Sequence, residues 1–355
     1  METHQFAIRL LHELHAGRTE STAALLKGGE CDSAELCAFL AKSKLAGYVY
    51  ALIRDTPLLE YFKAGEVQRL ADSYAHQVAR CEKSLALHSA LRKSLDEASI
   101  RFLTLKGLYL GQRFYGDVQL RFMWDVDILV QATELQATLD AVGTLGLQLP
   151  PQAGFDPRNT FWSIHAVEVR GEAGKLDIHY TIRNIPGLRF DIESMWSHAQ
   201  TFEVGGCTLQ TLSDSDTLLV AAVGLGADLQ TSHHSLRKIW DLYMILRTLD
   251  GAMDWRAYFR ERENEQSLRL VVNVFAFCLH LLGAEKECPR LWDAMAQYAA
   301  VIKIHGQAEA ERIFLRPRQS LANRLLYARL LPISSLQYWL RWCITLPVRV
   351  WHYGK

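Results

Sequence analysis

Two aspartates, Asp125 and Asp127, flank Val126 at the start of an apolar run that ends at Val130. In a strand, residues i and i+2 point to the same side, about 7 Å apart at Cα, so both carboxylates project together. Two such anions repel each other unless a cation lies between them, and hard oxygen ligands suit Mg²⁺ bridging a triphosphate. The spacing therefore predicts a metal site, with a solvated strand edge as the alternative.

A second alternating stretch, Lys175 to Tyr180, places Asp177 and His179 on one face. If this strand neighbours the first, Asp177 becomes a third carboxylate. Two acids can then hold metals, while the third completes a metal's shell or activates an attacking hydroxyl. The alternative is a surface strand facing solvent, with His179 as a structural hydrogen-bonding residue rather than a ligand.

A lysine and a glycine, Lys106 and Gly107, follow the short apolar run 102–105 and precede a predicted helix. A glycine at such a junction lets the backbone approach a phosphate, whose charge the helix N-terminus favours. Lys106 would add a point charge to the phosphates. The meaning of this pair comes from its position, one helix upstream of the Asp125 strand.

A mixed set of elements must position these residues. Apolar residues recur at steps of three and four through 67–98, which predicts one long amphipathic helix after shorter ones. The strand-like runs and the helices between them cover 102–105, 108–115, 126–130, 133–143, 167–169 and 176–182. A capping cluster at 213–216 then reopens a helical pattern that continues to the end. We therefore expect an α+β fold with an N-terminal helical region, an α/β core and a C-terminal helical region, at 1–98, 99–213 and 214–355.

The composition is that of an ordinary globular protein: 355 residues, 49% hydrophobic, with 39 Lys+Arg against 39 Asp+Glu. It excludes a disordered or fibrous chain. The N-terminus lacks the apolar core of a secretory signal. The chain has no uncharged apolar stretch of about 18 residues, so we expect no membrane-spanning helix. Seven cysteines without a CxxC pair favour reduced thiols and a cytoplasmic location.

The segment 312–355 carries eight basic residues and no acidic ones. Such a basic, aromatic tail would make weak contact with an anionic membrane surface, a nucleic acid or an acidic partner. The alternative, which we expect, is an architectural tail whose Trp339, Trp342 and Trp351 are buried against the body.

Together these motifs resemble the bacterial "uncharacterised nucleotidyltransferase" family of the DNA polymerase β-like nucleotidyltransferase superfamily. The resemblance rests on Leu105-Lys106-Gly107, on Arg121 with the Asp125–Val130 strand, and on Leu176-Asp177-Ile178-His179. The runs 236–242 and 253–255 also look like the family's C-terminal helices. The resemblance implies a small mixed-sheet nucleotidyltransferase core within helical regions, Mg²⁺ dependence with two ions, and an NTP donor.

Carried over residue by residue, Asp125 and Asp127 match the metal-binding pair, and Asp177 matches the third catalytic carboxylate. The residues on the nucleotide side would be Lys106, Gly107, Arg121 and His179. Two positions depart from the family pattern. Gly107 is followed by Leu108, where the superfamily usually has a phosphate-binding serine. Trp124 takes the place of a small residue, where it would either narrow the nucleotide pocket or offer a face for base stacking.

The sequence therefore predicts a metal-dependent nucleotidyltransferase that moves an NMP group from an NTP to an acceptor hydroxyl or similar group. We expect the acceptor to be a small molecule, a peptide or a protein. A nucleic-acid acceptor is less favoured, because the basic tail is the one feature that supports it. The rival hypothesis is a catalytically weak nucleotide- or protein-binding module of the same fold, as in a toxin–antitoxin or biosynthetic-cluster accessory protein. Because Asp125 and Asp127 repel each other without metal, we also expect Asp127→Asn to leave folding little harmed.

Overall fold

Helices occupy most of the first hundred residues of the computed structural model, which describes residues 1–150, 165–183, 185, 187–231, 235–316 and 321–331. The first four helices are α1 (Thr3–His15), α2 (Thr19–Lys27), α3 (Ser33–Lys42) and α4 (Ala46–Ile53). The long helix α5 (Ala64–Glu97) follows, as the periodicity over 67–98 predicts. It buries a stripe that includes Leu70, Cys81 and Leu91, and this stripe fixes the helix against the rest of the protein.

One mixed sheet forms the centre of the molecule. Its strands are β1 (Phe102–Leu105), β2 (Val126–Val130), β3 (Ala166–Gly171), β4 (Gly174–His179), β5 (Gln200–Val204) and β6 (Cys207–Thr211). They lie in the order β3-β4-β2-β1-β6-β5. The pairs β2–β4 and β1–β6 are parallel, and the other neighbours are antiparallel. The predicted α+β fold with a small mixed sheet is thus confirmed.

The helices of the core are α6 (Gly107–Tyr115), α7 (Leu135–Gly143) and α8 (Ile192–Ser197). Three features of the core differ from the sequence prediction. The sequence analysis missed β5 and β6, a hairpin whose turn contains Gly205 and Gly206 at φ 54° and 78°. Strand β4 ends at His179 instead of continuing to residue 182. The helix expected from Thr133 begins as a 3₁₀ turn, Ala132–Glu134, that leads into α7.

The described residues after β6 are mainly helical, as predicted. These helices are α9 (Asp214–Thr231), α10 (Leu236–Leu249), α11 (Trp255–Asn264), α12 (Leu268–Leu282), α13 (Pro289–Ala296), α14 (Gln307–Phe314) and α15 (Leu321–Leu330). Within the described ranges, no helix is both long enough and apolar enough to cross a membrane. The prediction for the tryptophans at 339, 342 and 351 falls outside the described residues.

The sheet separates two hydrophobic cores because successive residues of a strand face opposite sides. Val126 and Ile128 of β2 belong to the smaller core, which also includes residues of α5 and α7. Leu103 and Leu129 belong to the larger core, which contains residues from both the first and the last helices. Asp127 shares the parity of Leu129, so its carboxylate lies on the larger-core side, near the start of β2.

Candidate active site

The strand register brings the predicted acidic residues to one place. Asp127 lies directly beside Asp177 in the parallel β2–β4 pair. Asp125 immediately precedes β2 and has the parity of Asp127. Leu105, the last residue of β1, is the partner of Asp127 in the antiparallel β1–β2 pair, so the chain turn at Lys106 lies beside the same carboxylates. The structure thus brings together the carboxylates of Asp125, Asp127 and Asp177 and the turn that carries the Lys106 ammonium group, where β1 ends and β2 begins.

Asp127 is the buried centre of this group. Its Oδ1 accepts hydrogen bonds from Lys106 Nζ at 3.1 Å and from His179 Nε2 at 2.9 Å. Burial alone would raise the pKa of Asp127, but the charge of Lys106 and the bond from His179 outweigh burial and hold that pKa well below its usual range. Burial also holds the pKa of His179 below its usual range despite Asp127. His179 is therefore neutral near pH 7, and Lys106 supplies the positive charge.

Asp177 has the opposite environment. Burial and the charges of Asp125 and Asp127 raise its pKa to about 7. Its Oδ1 is buried, and no group of the described residues forms a hydrogen bond with it. The cation beside it is Lys175, whose Nζ lies 3.6 Å from that oxygen. Asp177 is thus a carboxylate with too little positive charge around it.

Lys175 contacts two further acids, which the sequence analysis did not single out together. Its Nζ lies 3.1 Å from Asp125 Oδ2 and 2.6 Å from Glu168 Oε2. These carboxylates outweigh burial and raise the pKa of Lys175. The alternation of β4 contained the signal, since Lys175 has the parity of Asp177 and His179.

The donor set fits a divalent cation. Asp127, Asp177 and His179 each offer a ligand atom, and these atoms lie within 4.8 Å of one another. Two carboxylates and one imidazole are common ligands of divalent metals. The unpartnered Oδ1 and the raised pKa of Asp177 both indicate a missing positive charge at this point.

A family model described as "uncharacterised nucleotidyltransferase" matches residues 30–283. The chain belongs to this family. It is also similar to the solution structure of the antibiotic-resistance factor ANT(2'')-Ia, with 13% sequence identity, a TM-score of 0.37, and coverage of 51% of this chain and 92% of that chain. No curated protein matches the chain significantly. Membership of this family makes the protein a nucleotidyltransferase, an enzyme that transfers an NMP group from an NTP.

The loop that leads into α6 of this nucleotidyltransferase has an unusual backbone. Lys106 is its N-cap, with φ 49° and ψ −130°, and Gly107 follows at φ 35°. A non-glycine residue in such a region costs roughly 1–3 kcal/mol, and strain of this kind is concentrated at functional sites. The turn directs the Lys106 side chain back to Asp127 and leaves the first amide groups of α6 next to the carboxylate cluster.

Arg121 lies behind this loop in a buried ion pair. Its Nε and Nη2 donate to Asp241 Oδ1 and Oδ2 at 2.9 and 3.0 Å. Tyr115 also donates to Asp241, and Nη1 of Arg121 lies 3.5 Å from the Gly107 carbonyl oxygen. The guanidinium thus joins α10 to the loop. Its predicted contact with the nucleotide stays a prediction.

Trp124 lies beside Asp125 and is 50% exposed, unlike most large apolar residues of the protein. The guanidinium of Arg80 lies 4.2 Å from its ring centroid, and Arg80 Nη1 also donates to the Trp124 carbonyl oxygen at 3.1 Å. The ring of Phe122 stacks near it at 6.0 Å. An aromatic surface held in place by an arginine therefore adjoins the carboxylates.

Proposed function

We propose that the protein transfers an NMP group from a magnesium-bound NTP to an acceptor hydroxyl or similar group and releases pyrophosphate. The observation that carries this proposal is the register of β2 and β4, which sets Asp127 beside Asp177 with Asp125 next to them. Membership of a nucleotidyltransferase family supports it. Mg²⁺, when bound, would stabilise the charge that develops at phosphorus.

The protein's own residues would divide the remaining work. Asp125, Asp127 and Asp177 would hold the metal, and His179, whose Nε2 lies 2.9 Å from Asp127 Oδ1, would add an imidazole ligand beside them. Asp177 would share the metal and help to take the proton of the acceptor hydroxyl, the role of a general base. Lys106 would place its charge beside the triphosphate.

We also propose that residues 99–213 form the catalytic unit between the helical regions 1–98 and 214–355. The support is that the six strands of the sheet and the carboxylate cluster lie within 99–213. The acceptor would be a small molecule, a peptide or a protein. A specific test must therefore let the enzyme choose its acceptor.

The test is incubation of the protein with α-phosphate-labelled NTPs, Mg²⁺ and a host extract, with pyrophosphate measured in parallel. We expect labelled product and pyrophosphate from the wild type, and a loss of several orders of magnitude for Asp127→Asn. Asp55→Asn, at an aspartate whose side chain is 85% exposed, is the matched control and should behave as the wild type. A thermal shift with Mg-NTP but no label transfer or pyrophosphate would favour the rival binding module.

A further inference from the structure

The Lys175 ammonium group lies among three carboxylates. Nζ is 2.6 Å from Glu168 Oε2, 3.1 Å from Asp125 Oδ2 and 3.6 Å from Asp177 Oδ1. The Lys175 side chain is only 18% exposed. This partly buried lysine is a cation whose charge is shared by acids of three separate segments.

The strand register fixes Lys175 at this position. In β4, Lys175 and Asp177 have the same parity, and Glu168 of β3 is the direct partner of Asp177. The Arg170 guanidinium contacts Glu168 as well, so Glu168 is held between two cations. Glu168 therefore holds Lys175 from the β3 side, and Arg170 in turn holds Glu168 in place.

The consequence concerns the number of metal ions. Two carboxylates from adjacent segments, Asp125 and Asp177, would need a cation between them, and the Lys175 ammonium already contacts both. Asp127 also contacts an ammonium group, that of Lys106, but the Lys106 side chain is 36% exposed and can turn to the substrate phosphates. Asp127 then keeps a set of ligand atoms with Asp177 and His179. The Lys175 ammonium group therefore occupies the cation position between Asp125 and Asp177. The position at Asp127, Asp177 and His179 is the one that offers ligand atoms to a metal ion.

We propose that Lys175 replaces one of the two divalent ions, so that the protein binds a single divalent ion at Asp127, Asp177 and His179. This inference rests on the metal-dependent function proposed above, and it changes the expected two ions to one. In chemical terms, an ammonium group anchored by Glu168 supplies the second positive charge beside the substrate phosphates.

The test counts bound Mn²⁺ by electron paramagnetic resonance, titrated to saturation without nucleotide. We expect one ion for the wild type and one additional ion for Lys175→Met, which keeps an apolar stem but removes the charge. Lys175→Arg keeps the charge and should bind as many ions as the wild type. Lys93→Met, at an exposed lysine of α5, is the matched control and should also bind one ion.

A second variant guards against misfolding. Lys175→Met leaves the acids uncompensated, whereas the double variant Glu168→Gln/Lys175→Met removes one positive and one negative charge together. We expect this double variant also to gain one Mn²⁺ over the wild type. If Lys175→Met folds only in the presence of Mn²⁺, as circular dichroism would show, the added ion has replaced the ammonium group, and this supports the proposal.

Equal Mn²⁺ counts for the wild type and both charge-removing variants would overturn the proposal, as would two ions on the wild type. Neither result would touch the proposed function, provided that the wild type binds Mn²⁺ and transfers label. A wild type that binds no Mn²⁺, with no gain in the variants, would also overturn this inference, whereas the proposed function is rejected separately, by the absence of label transfer with Mg-NTP.

Discussion

Asp177 lies beside Asp127 in the parallel β2–β4 pair, yet the two carboxylates have opposite electrostatic environments. Asp127 accepts hydrogen bonds from Lys106 and His179, which lower its pKa despite burial. Burial and neighbouring acids raise the pKa of Asp177 to about 7. In the metal-free protein one carboxylate is therefore stabilised as an anion, and its neighbour is destabilised.

This difference predicts opposite effects of two matched substitutions. Without metal at pH 8, Asp177→Asn should raise the free energy of unfolding by about 1–3 kcal/mol, because it removes an anion held near other anions. Asp127→Asn should lower it by about 1–3 kcal/mol, because the buried acceptor of Lys106 and His179 loses its negative charge and both bonds weaken. Urea denaturation in a chelator measures both values.

The sequence alone predicts that Asp127→Asn leaves folding little harmed; the bonds that Lys106 and His179 donate to Asp127 lead us to predict a loss of stability instead. Addition of Mg²⁺ should remove the advantage of Asp177→Asn, since the wild type then gains a counter-ion. Equal shifts in the same direction for both variants would contradict this account of the two sites.

The sequence was sufficient to predict the strands that carry the acids. A period of two, with Asp125 and Asp127 at one end of an apolar run, identifies β2, and Asp177 with His179 identifies β4. The register between these strands is not visible in either segment alone. The geometry that joins Asp127 to Asp177 is therefore a property of the sheet.

Other features escaped the sequence analysis for physical reasons. The β5–β6 hairpin has only partly buried strands, which makes its apolar alternation weak, although Gly205 and Gly206 mark its turn. The pairing of Arg121 with Asp241 joins residues 120 positions apart, and no local pattern records it. The alternation of β4 includes Lys175, but no local pattern pairs this lysine with Asp125, 50 positions earlier in the chain.

The Arg121–Asp241 pair, which lies behind the loop at Lys106 and Gly107, predicts a large effect on stability. Arg121→Met should cost about 3–5 kcal/mol, because it leaves a buried carboxylate without its bidentate partner. Arg121→Met combined with Asp241→Leu should recover a substantial part of that loss. Arg18→Met, at an arginine whose side chain is 64% exposed beside Glu13, is the control and should have a much smaller effect.

Denaturation of Arg121→Met, of Asp241→Leu and of the double variant gives the coupling energy of the pair. We expect strong coupling, because Asp241 also accepts from Tyr115 and Arg237 and is buried. Additive effects of the two single substitutions would show that the pair does not act as a unit.

His88 predicts a pH dependence of stability. It is buried on α5 with Nε2 2.7 Å from Thr104 Oγ1, and burial lowers its pKa to about 4. Between about pH 6.5 and 4 the unfolded chain binds a proton at this residue while the folded protein does not, so stability is lost as the pH falls through this range. The loss from His88 alone should reach about 3 kcal/mol.

The measurement is urea denaturation of the wild type and His88→Gln from pH 7.5 to 4. The variant should show a shallower loss of stability toward acid, whereas His305→Gln, at an exposed histidine, should keep the slope of the wild type. A slope unchanged in His88→Gln would contradict the neutral, buried state of this ring.

Trp124 predicts which part of the substrate meets the exposed aromatic surface beside Asp125. With Arg80 4.2 Å from its ring centroid, the indole is fixed where a nucleobase could stack on it. Such a stack is worth about 1–3 kcal/mol, so Trp124→Ala should weaken Mg-NTP binding by about 5- to 100-fold. Trp124→Phe should retain most of the affinity, and Tyr61→Ala, at another exposed aromatic residue, should retain all of it. Calorimetry measures the dissociation constants, and tighter binding by Trp124→Ala would show instead that the indole narrows the nucleotide pocket.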